Sequence, residues 1–461
     1  MRDLSALIKA YDVRGIVPDQ WGPDLARDAG VAFVEVIGIR AQDGGEGKIV
    51  IGHDMRPTGP DLVAAFIEGV NSAGVDVVNI GLCSTDGLYF ASGRENVPGA
   101  MFTASHNPAE YNGIKLCRAG AAPVGQDTGL AAIREMLESE SLPTFDGPAG
   151  TTTTVDMLTA YSEFLRELVP LDGIRPLKVV IDTGNGMGGY TVPAVLGNQI
   201  LSALPLEIDA MYFELDGTFP NHEANPIDPE NLRDLQNRVL EIGADIGLAF
   251  DGDADRCFVV DEKGQIVDPS TLTALIATRE LAKEPGSVII HNLITSRSVP
   301  EIVVEHGGTP VRTRVGHSFI KATMAETGAI FGGEHSGHFY FREFWKADSG
   351  MLAAMHALAA LGETAEGTSL SSLLSEFIRY VPSGEINTRV ADAPAVIERI
   401  RNEYAGKDVT IDTLDGLTVA ADTWWFNVRS SNTEPLLRLN AEASTVEDME
   451  ALRDSVLALM S

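Results

Sequence analysis

The chain has 461 residues, with 34 Lys+Arg against 66 Asp+Glu and a formal net charge of -32. At about 150 residues per domain that length implies several domains, and a field of that sign repels nucleic-acid phosphates and anionic lipid headgroups, so neither is an expected partner. A hydrophobic fraction of 44% excludes a mainly disordered chain, and an anionic substrate would require the few cations to be gathered locally.

In chain order, residues 23–36 read as a helix opened by Pro23, with Leu25, Ala29, Ala32 and Val36 along one face. Residues 48–52, 76–81 and 100–103 read as short buried strands ending in polar or glycine turns, the alternation of a mostly parallel, covered sheet. The pattern restarts at 178–186 and 246–250, and a third unit is expected from the strand 257–261, its turn at 262–264 and the strand 287–291. The final stretch differs, with strands at 385–390, 424–429 and 436–439 before a helix at 446–459, so a small α+β domain is expected there. Cys83, Cys117 and Cys257 are too few and scattered for a disulfide framework, which fits a reducing, cytoplasmic setting. The N-terminus lacks the apolar core of a signal peptide, and the apolar run near 351–361 is too short to span a bilayer.

Four polar loops carry chemistry. Asp251-Gly252-Asp253-Ala254-Asp255-Arg256 follows an apolar strand; in an extended loop alternate residues face one way, so three carboxylates converge and need a cation, Mg²⁺ or Ca²⁺ by donor type. An EF-hand is rejected because Arg256 stands where its loop requires glycine. Thr103-Ala104-Ser105-His106-Asn107-Pro108 places a serine on a turn beside small residues, as a nucleophile needs, although such turns are more often structural. Gly332-Gly333-Glu334-His335-Ser336-Gly337-His338 suits a polyol, and Arg429-Ser430-Ser431-Asn432-Thr433 offers donors for a phosphate dianion.

With Tyr11-Asp12-Val13-Arg14-Gly15 at the start, these motifs in this order resemble the α-D-phosphohexomutase superfamily, in its phosphomannomutase/phosphoglucomutase branch. The resemblance covers essentially the whole chain. It implies three related mixed α/β domains and a smaller C-terminal α+β domain around a central cleft: a phosphoserine-loop domain at 1–150, a metal-loop domain at 151–257, a sugar-recognition domain at 258–378 and a phosphate clamp at 379–461. It implies that Ser105 carries the transferable phosphate and, with Asp251, Asp253 and Asp255, binds Mg²⁺. His106, Lys115, Arg256 and His338 are implied catalytic residues, with His338 or Lys115 as the base. Tyr11, Arg14, His317, Glu334, Ser336, Arg429, Ser431, Asn432 and Thr433 are implied substrate ligands. Some relatives carry a lysine near Ile294, for which Arg297 is a candidate substitute. The expected reaction interconverts mannose 6-phosphate and mannose 1-phosphate through a hexose 1,6-bisphosphate, which also serves as activator, in a monomer or weak dimer. Glucose or glucosamine phosphate mutases are the neighbouring alternatives, and a phosphatase or a non-catalytic sensor the more distant ones.

Overall fold

Continuous apolar runs make strands that must be covered on both faces, and the first sheet is assembled from them: β1 (Val13–Ile16), β2 (Lys48–His53), β3 (Asp76–Leu82), β4 (Gly99–Phe102), β5 (Tyr111–Arg118), β6 (Ala122–Pro123) and β7 (Thr152–Thr154). The computed structural model describes residues 3–430 and 436–460. The order is β1-β5-β4-β2-β3-β7, with β6 beside β5. Strands β4, β2, β3 and β7 run parallel, whereas β5 and β1 are added antiparallel at one edge. Helix Pro23–Ile37 has Pro at its start and stops at Gly38, whose φ of 74° is the left-handed cap that glycine adopts without strain. It crosses helix Gly59–Ser72 so closely that a Cβ on Gly69 would lie 2.0 Å from the Arg27 carbonyl oxygen.

The plan repeats. β8 (Leu177–Asp182), β9 (Leu206–Met211) and β10 (Ile246–Phe250) are parallel, and β11 (Cys257–Asp261) and β12 (Ile266–Val267) are added antiparallel, in the order β12-β11-β10-β8-β9. A third set, β13 (Val288–Asn292), β14 (Thr309–Thr313) and β15 (Phe331–Gly333), is again parallel, and the chain continues into the antiparallel hairpin β16 (Phe339–Phe341) and β17 (Ala347–Asp348). The last sheet, β18 (Val381–Arg389), β19 (Thr410–Asp412), β20 (Leu417–Ala420), β21 (Trp424–Ser430) and β22 (Leu436–Ala443), is wholly antiparallel in the order β18-β22-β21-β20-β19. Helices Ala393–Tyr404 and Val446–Met460 cover it through Ile400, Phe426, Leu439 and Val456.

Two expected boundaries fall inside sheets. β7 lies beyond residue 150 yet pairs with β3, and the division at 257/258 cuts β11, which pairs with β10 along its length. A hydrophobic run such as 257–261 does not say whether it opens a new sheet or returns beside the previous strand; only the tight turn at 251–256 decides. The apolar run near 351–361 is helix Gly350–Gly362, buried on every side. Among the described residues no helix is long and apolar enough to cross a membrane.

By packing, the chain forms two compact units, Met1–Val267 with Ser336–Ser371, and Asp268–His335 with Ser372–Ser461.

Candidate active site

In each repeated sheet a polar loop leaves the carboxyl end of a parallel strand: Ser105 follows β4, Asp251 follows β10 and Glu334 follows β15. Carboxyl ends of parallel strands are where α/β sheets bind ligands.

Ser105 is buried and has a φ of 50°, a left-handed conformation unusual for a residue with a side chain. Its N–H donates to Thr103 Oγ1 at 2.8 Å, and its carbonyl accepts from Arg56 Nη2 at 2.9 Å. The hydroxyl is thereby aimed at the second sheet, donating to Asp251 Oδ2 at 2.9 Å, with His106 Nδ1 at 3.2 Å on its other side. Gly252 permits this approach, since a Cβ there would lie 2.5 Å from the Ser105 carbonyl oxygen. On β1, Arg14 reaches the same loop by donating to Asn107 Oδ1 at 2.6 Å, because β1 pairs with β5 at Gly113. Tyr11 stands just before β1.

Asp251, Asp253 and Asp255 are buried, and their ligand atoms lie within 4.8 Å of one another. They converge by a different route from the extended loop expected. The Ala254 N–H donates to the Asp251 carbonyl in a tight turn with Ala254 at a φ of 60°, because the chain must reverse into antiparallel β11. Lys115, on β5, donates to Asp253 Oδ2 at 2.7 Å and to Asp255 Oδ2 at 2.6 Å. Thr85 Oγ1 adds a donor to Asp253 at 2.5 Å, and the Thr85 N–H donates to the Asp253 carbonyl at 3.0 Å. Burial and the neighbouring carboxylates push Asp251 up, so its proton is held more tightly than an ordinary carboxyl's. Burial also works against ionised Asp253 and Asp255, yet Lys115 together with the Thr85 hydrogen bond at Asp253, and with His338 and Arg256 at Asp255, holds both below the usual range. In return, although burial opposes its charge, Lys115 is raised well above an ordinary lysine.

Asp253 Oδ1 and Asp255 Oδ1 are buried without a hydrogen-bond partner among the described residues. Oxygen-only donors converging from three carboxylates, with orphaned buried oxygens, fit a hard divalent cation.

Arg256 and His338 form an isolated antiparallel bridge in the same unit, and Arg256 Nε donates to His338 Nε2 at 3.2 Å. Ser336 Oγ lies 2.9 Å from His338 Nδ1. Burial first, then Arg256, lowers His338 to about 3, so the ring is neutral. His106 is lowered well below its ordinary value by burial and the nearby arginines. Lys115, Arg256 and Arg14 thus gather beside His106, the local concentration of cations expected if an acidic chain takes an anionic substrate.

The second unit holds the other expected ligands. Glu334 is buried, and its Oε1 accepts from Asn292 Nδ2 at 3.3 Å and from the Gly316 N–H at 3.2 Å. The expected Glu334 and Ser336 pair is divided between the two units. Arg429, at the end of β21, is buried against Glu385, which also accepts from Arg438 Nη1 at 3.2 Å. His317 opens helix His317–Thr327; its side chain, like the whole of Ser431, Asn432 and Thr433, lies outside the described residues. Arg297, the candidate substitute for the lysine of some relatives, donates from Nη1 to the carbonyls of Ala421 at 2.7 Å and Asp422 at 3.0 Å. Ile294 packs with Leu293 and Trp425.

Sequence reasoning missed Arg56, Thr85 and Glu385. None sits in a polar loop of the four motifs, and the only available signal was charge in an apolar context, as in Asp54-Met55-Arg56-Pro57 directly after β2.

Three sheets of one plan, each releasing a charged loop at the same point, followed by an antiparallel α+β domain, are the architecture of the α-D-phosphohexomutases. The phosphoglucomutase/phosphomannomutase models for α/β/α domains I, II and III match residues 5–143, 159–264 and 268–380, and the model for the C-terminal domain matches 385–459. A protein described as phosphohexose mutases from Xanthomonas campestris pv. campestris is 41% identical over 94% of both chains. A phosphomannomutase of Salmonella montevideo is 39% identical over 98% of both. The crystal structure of a phosphoglucomutase/phosphomannomutase family protein from Burkholderia thailandensis aligns with a TM-score of 0.87 and 32% identity, covering 100% of this chain and 97% of that one. The chain belongs to the phosphoglucomutase/phosphomannomutase family.

Proposed function

We propose that the enzyme is a phosphomannomutase, interconverting mannose 6-phosphate and mannose 1-phosphate by way of a phosphate carried on Ser105, with measurable activity on glucose phosphates. The observation that carries the reading is the Ser105 hydroxyl, buried and donating to Asp251 at 2.9 Å beside Asp253, Asp255, Lys115 and Arg256. The similarity to phosphomannomutases along nearly the full chain supports the choice of sugar.

In the forward direction the C1 hydroxyl of the hexose 6-phosphate attacks phosphoserine 105. The sugar O–P bond forms, the Oγ–P bond breaks, and the hydroxyl proton passes to a base, leaving a hexose 1,6-bisphosphate. After the bisphosphate turns end for end, the Ser105 oxygen attacks the 6-phosphate: the Oγ–P bond forms, the C6 O–P bond breaks, the freed C6 oxygen takes the proton that the base held, and hexose 1-phosphate departs. Catalysis of such a transfer is mostly positioning and charge stabilisation. Lys115 and Arg256 serve as charge carriers beside the transferring group. The neutral ring of His338 supports it as proton acceptor over Lys115, whose ammonium is held by two carboxylates; a phosphate dianion nearby would raise that ring toward a useful basicity. Asp251, Asp253 and Asp255, with an oxygen of phosphoserine 105, would hold Mg²⁺, which supplies neutralisation of phosphoryl charge when bound.

Glu334 and Ser336 are assigned to sugar hydroxyls at C3 and C4, where mannose and glucose are identical, and Arg429 with Ser431, Asn432 and Thr433 to the phosphate that does not react. Contacts matched at C3 and C4 separate the two sugars only by what C2 meets, about 10- to 200-fold. Hexose 1,6-bisphosphate restores the phosphoenzyme whenever the intermediate escapes, hence its role as activator. A cytoplasmic setting fits the three unbridged cysteines. The test is a comparison of kcat/KM on mannose, glucose and glucosamine 1-phosphates with catalytic bisphosphate present. The highest value for mannose supports the assignment, and a higher value for glucosamine phosphate overturns it.

A further inference from the structure

Arg56 belongs to none of the motifs above, yet its guanidinium is engaged on every edge. Its side chain is 0% exposed. Nη1 donates to the carbonyls of Pro108 at 2.7 Å and Tyr111 at 2.8 Å, and Nη2 to those of Ser105 at 2.9 Å and Asn107 at 2.6 Å. All four terminal N–H groups of the fork are therefore spent on one turn, the turn that carries the nucleophile. The remaining edge faces Asp54, with Nε 3.3 Å from Oδ2, and Asp54 Oδ1 accepts from the Arg56 backbone N–H at 3.0 Å. The ring of Phe219 caps the guanidinium, with its centroid 5.2 Å from Cζ.

A buried charge with one counter-ion and four neutral carbonyls is a costly way to close a surface turn, since a turn needs only its own backbone hydrogen bonds. What this arrangement achieves is specific to Ser105. The N–H of that residue is held by Thr103 and the C=O by Arg56, so both sides of a backbone at positive φ are fixed and the hydroxyl points at Asp251. Gly252 packs against the same Ser105 carbonyl, which transmits its position to the aspartate turn. We propose that Arg56 is a positioning residue for phosphoryl transfer, setting the backbone of Ser105 so that one oxygen can both give up and take back phosphate along the same line. The inference rests on the reading of Ser105 as the phosphate carrier. It does not make Arg56 a substrate ligand, because no part of its side chain is exposed to reach one.

The test is Arg56→Lys, which keeps the charge but cannot reach four carbonyls in a planar fork. Intact-protein mass gives the fraction of each enzyme phosphorylated, and kcat and KM are normalised to it; the ³¹P signal of the phosphoserine is recorded on the same samples. The expected result is a kcat per phosphoenzyme lower by on the order of 10²-fold, the scale of an ångström-sized misplacement, with KM for the hexose phosphate within threefold and a shifted or broadened ³¹P line. If the role is only structural, the melting temperature falls while kcat per phosphoenzyme and the ³¹P line stay as in wild type, and the inference is overturned. Should Arg56→Lys not fold, Arg56→Gln combined with Asp54→Asn, which removes both charges of the buried pair together, takes its place with the same readouts; failure of both to fold would mark Arg56 as a core residue and also overturn the inference. A wild-type enzyme without phosphate on Ser105 would instead sink the functional reading itself, whatever the variants do.

Discussion

The Ser105 and aspartate turns of the first unit and the Glu334 and Arg429 loops of the second solve different problems. In the first, charged groups face one another: Lys115 bridges Asp253 and Asp255, Arg256 faces Asp251 and His338, and the serine turn is held at both ends, while one oxygen each of Asp253 and Asp255 is left for a cation. In the second, Glu334 accepts from the Asn292 amide and the Gly316 N–H, and Arg429 lies against Glu385, its Nε without a hydrogen-bond partner among the described residues. The first pair of loops meets charge against charge, whereas each of the second is anchored within its own sheet. Under the proposed function the first performs a transfer that needs fixed geometry, and the second recognises a sugar and a phosphate.

The sharpest way to break that contrast is to remove the nucleophile. Ser105→Ala should lower kcat by about 10³-fold or more while changing substrate affinity little, because the group acts only in the transfer; steady-state kinetics beside a calorimetric Kd would show both. Removal of divalent cations by a chelator should likewise abolish turnover, reversibly on adding Mg²⁺, with the circular dichroism spectrum retained, since the sheets have their own apolar cores. Full activity in excess chelator would contradict the assignment of the aspartate turn, and unfolding would reassign the ion to structure.

How much of this the sequence disclosed follows the same division. Strands such as 246–250 and 178–182 were legible because a parallel strand covered on both faces reads as an unbroken apolar run, and the loops after them because polar residues and glycines cluster where the run stops. The turn geometry at Ala254 was not legible, since alternation was assumed where a reversal into β11 forces a left-handed residue. Arg56 was hidden for a related reason: its partners are backbone carbonyls 49 to 55 residues away, which no side-chain pattern encodes. Glu385 was invisible because its relation to Arg429 arises from the antiparallel register of the last sheet.

On the recognition side the effects should be smaller. Arg429→Ala is expected to weaken hexose phosphate binding by about 1.5 to 3 kcal/mol, the worth of a hydrogen bond to a charged group, with kcat reduced less than KM is raised; unchanged affinity in titration calorimetry would remove it from the clamp. The smallest effect concerns a pair outside both loops. His222 Nε2 lies 3.0 Å from Asp182 Oδ2 at the end of β8, and although burial opposes it, Asp182 raises the imidazole above its ordinary 6.5. A raised histidine stabilises the fold fully below its unfolded value, and that contribution is lost as pH rises through the folded one. Melting temperatures of wild type against His222→Gln should therefore differ by up to roughly 1 kcal/mol equivalent at pH 6 and converge by pH 8; a difference that grows with pH would reverse the sign and discard the pair.

The central claim is that phosphate passes through Ser105 and returns to the sugar rather than to water. Enzyme labelled with ³²P on Ser105, mixed with unlabelled mannose 1-phosphate in a single turnover, tests it directly. Label should appear in hexose 1,6-bisphosphate and then in mannose 6-phosphate, with wild-type protein losing label only as sugar gains it. Release of the label as inorganic phosphate without isomerised sugar would contradict it.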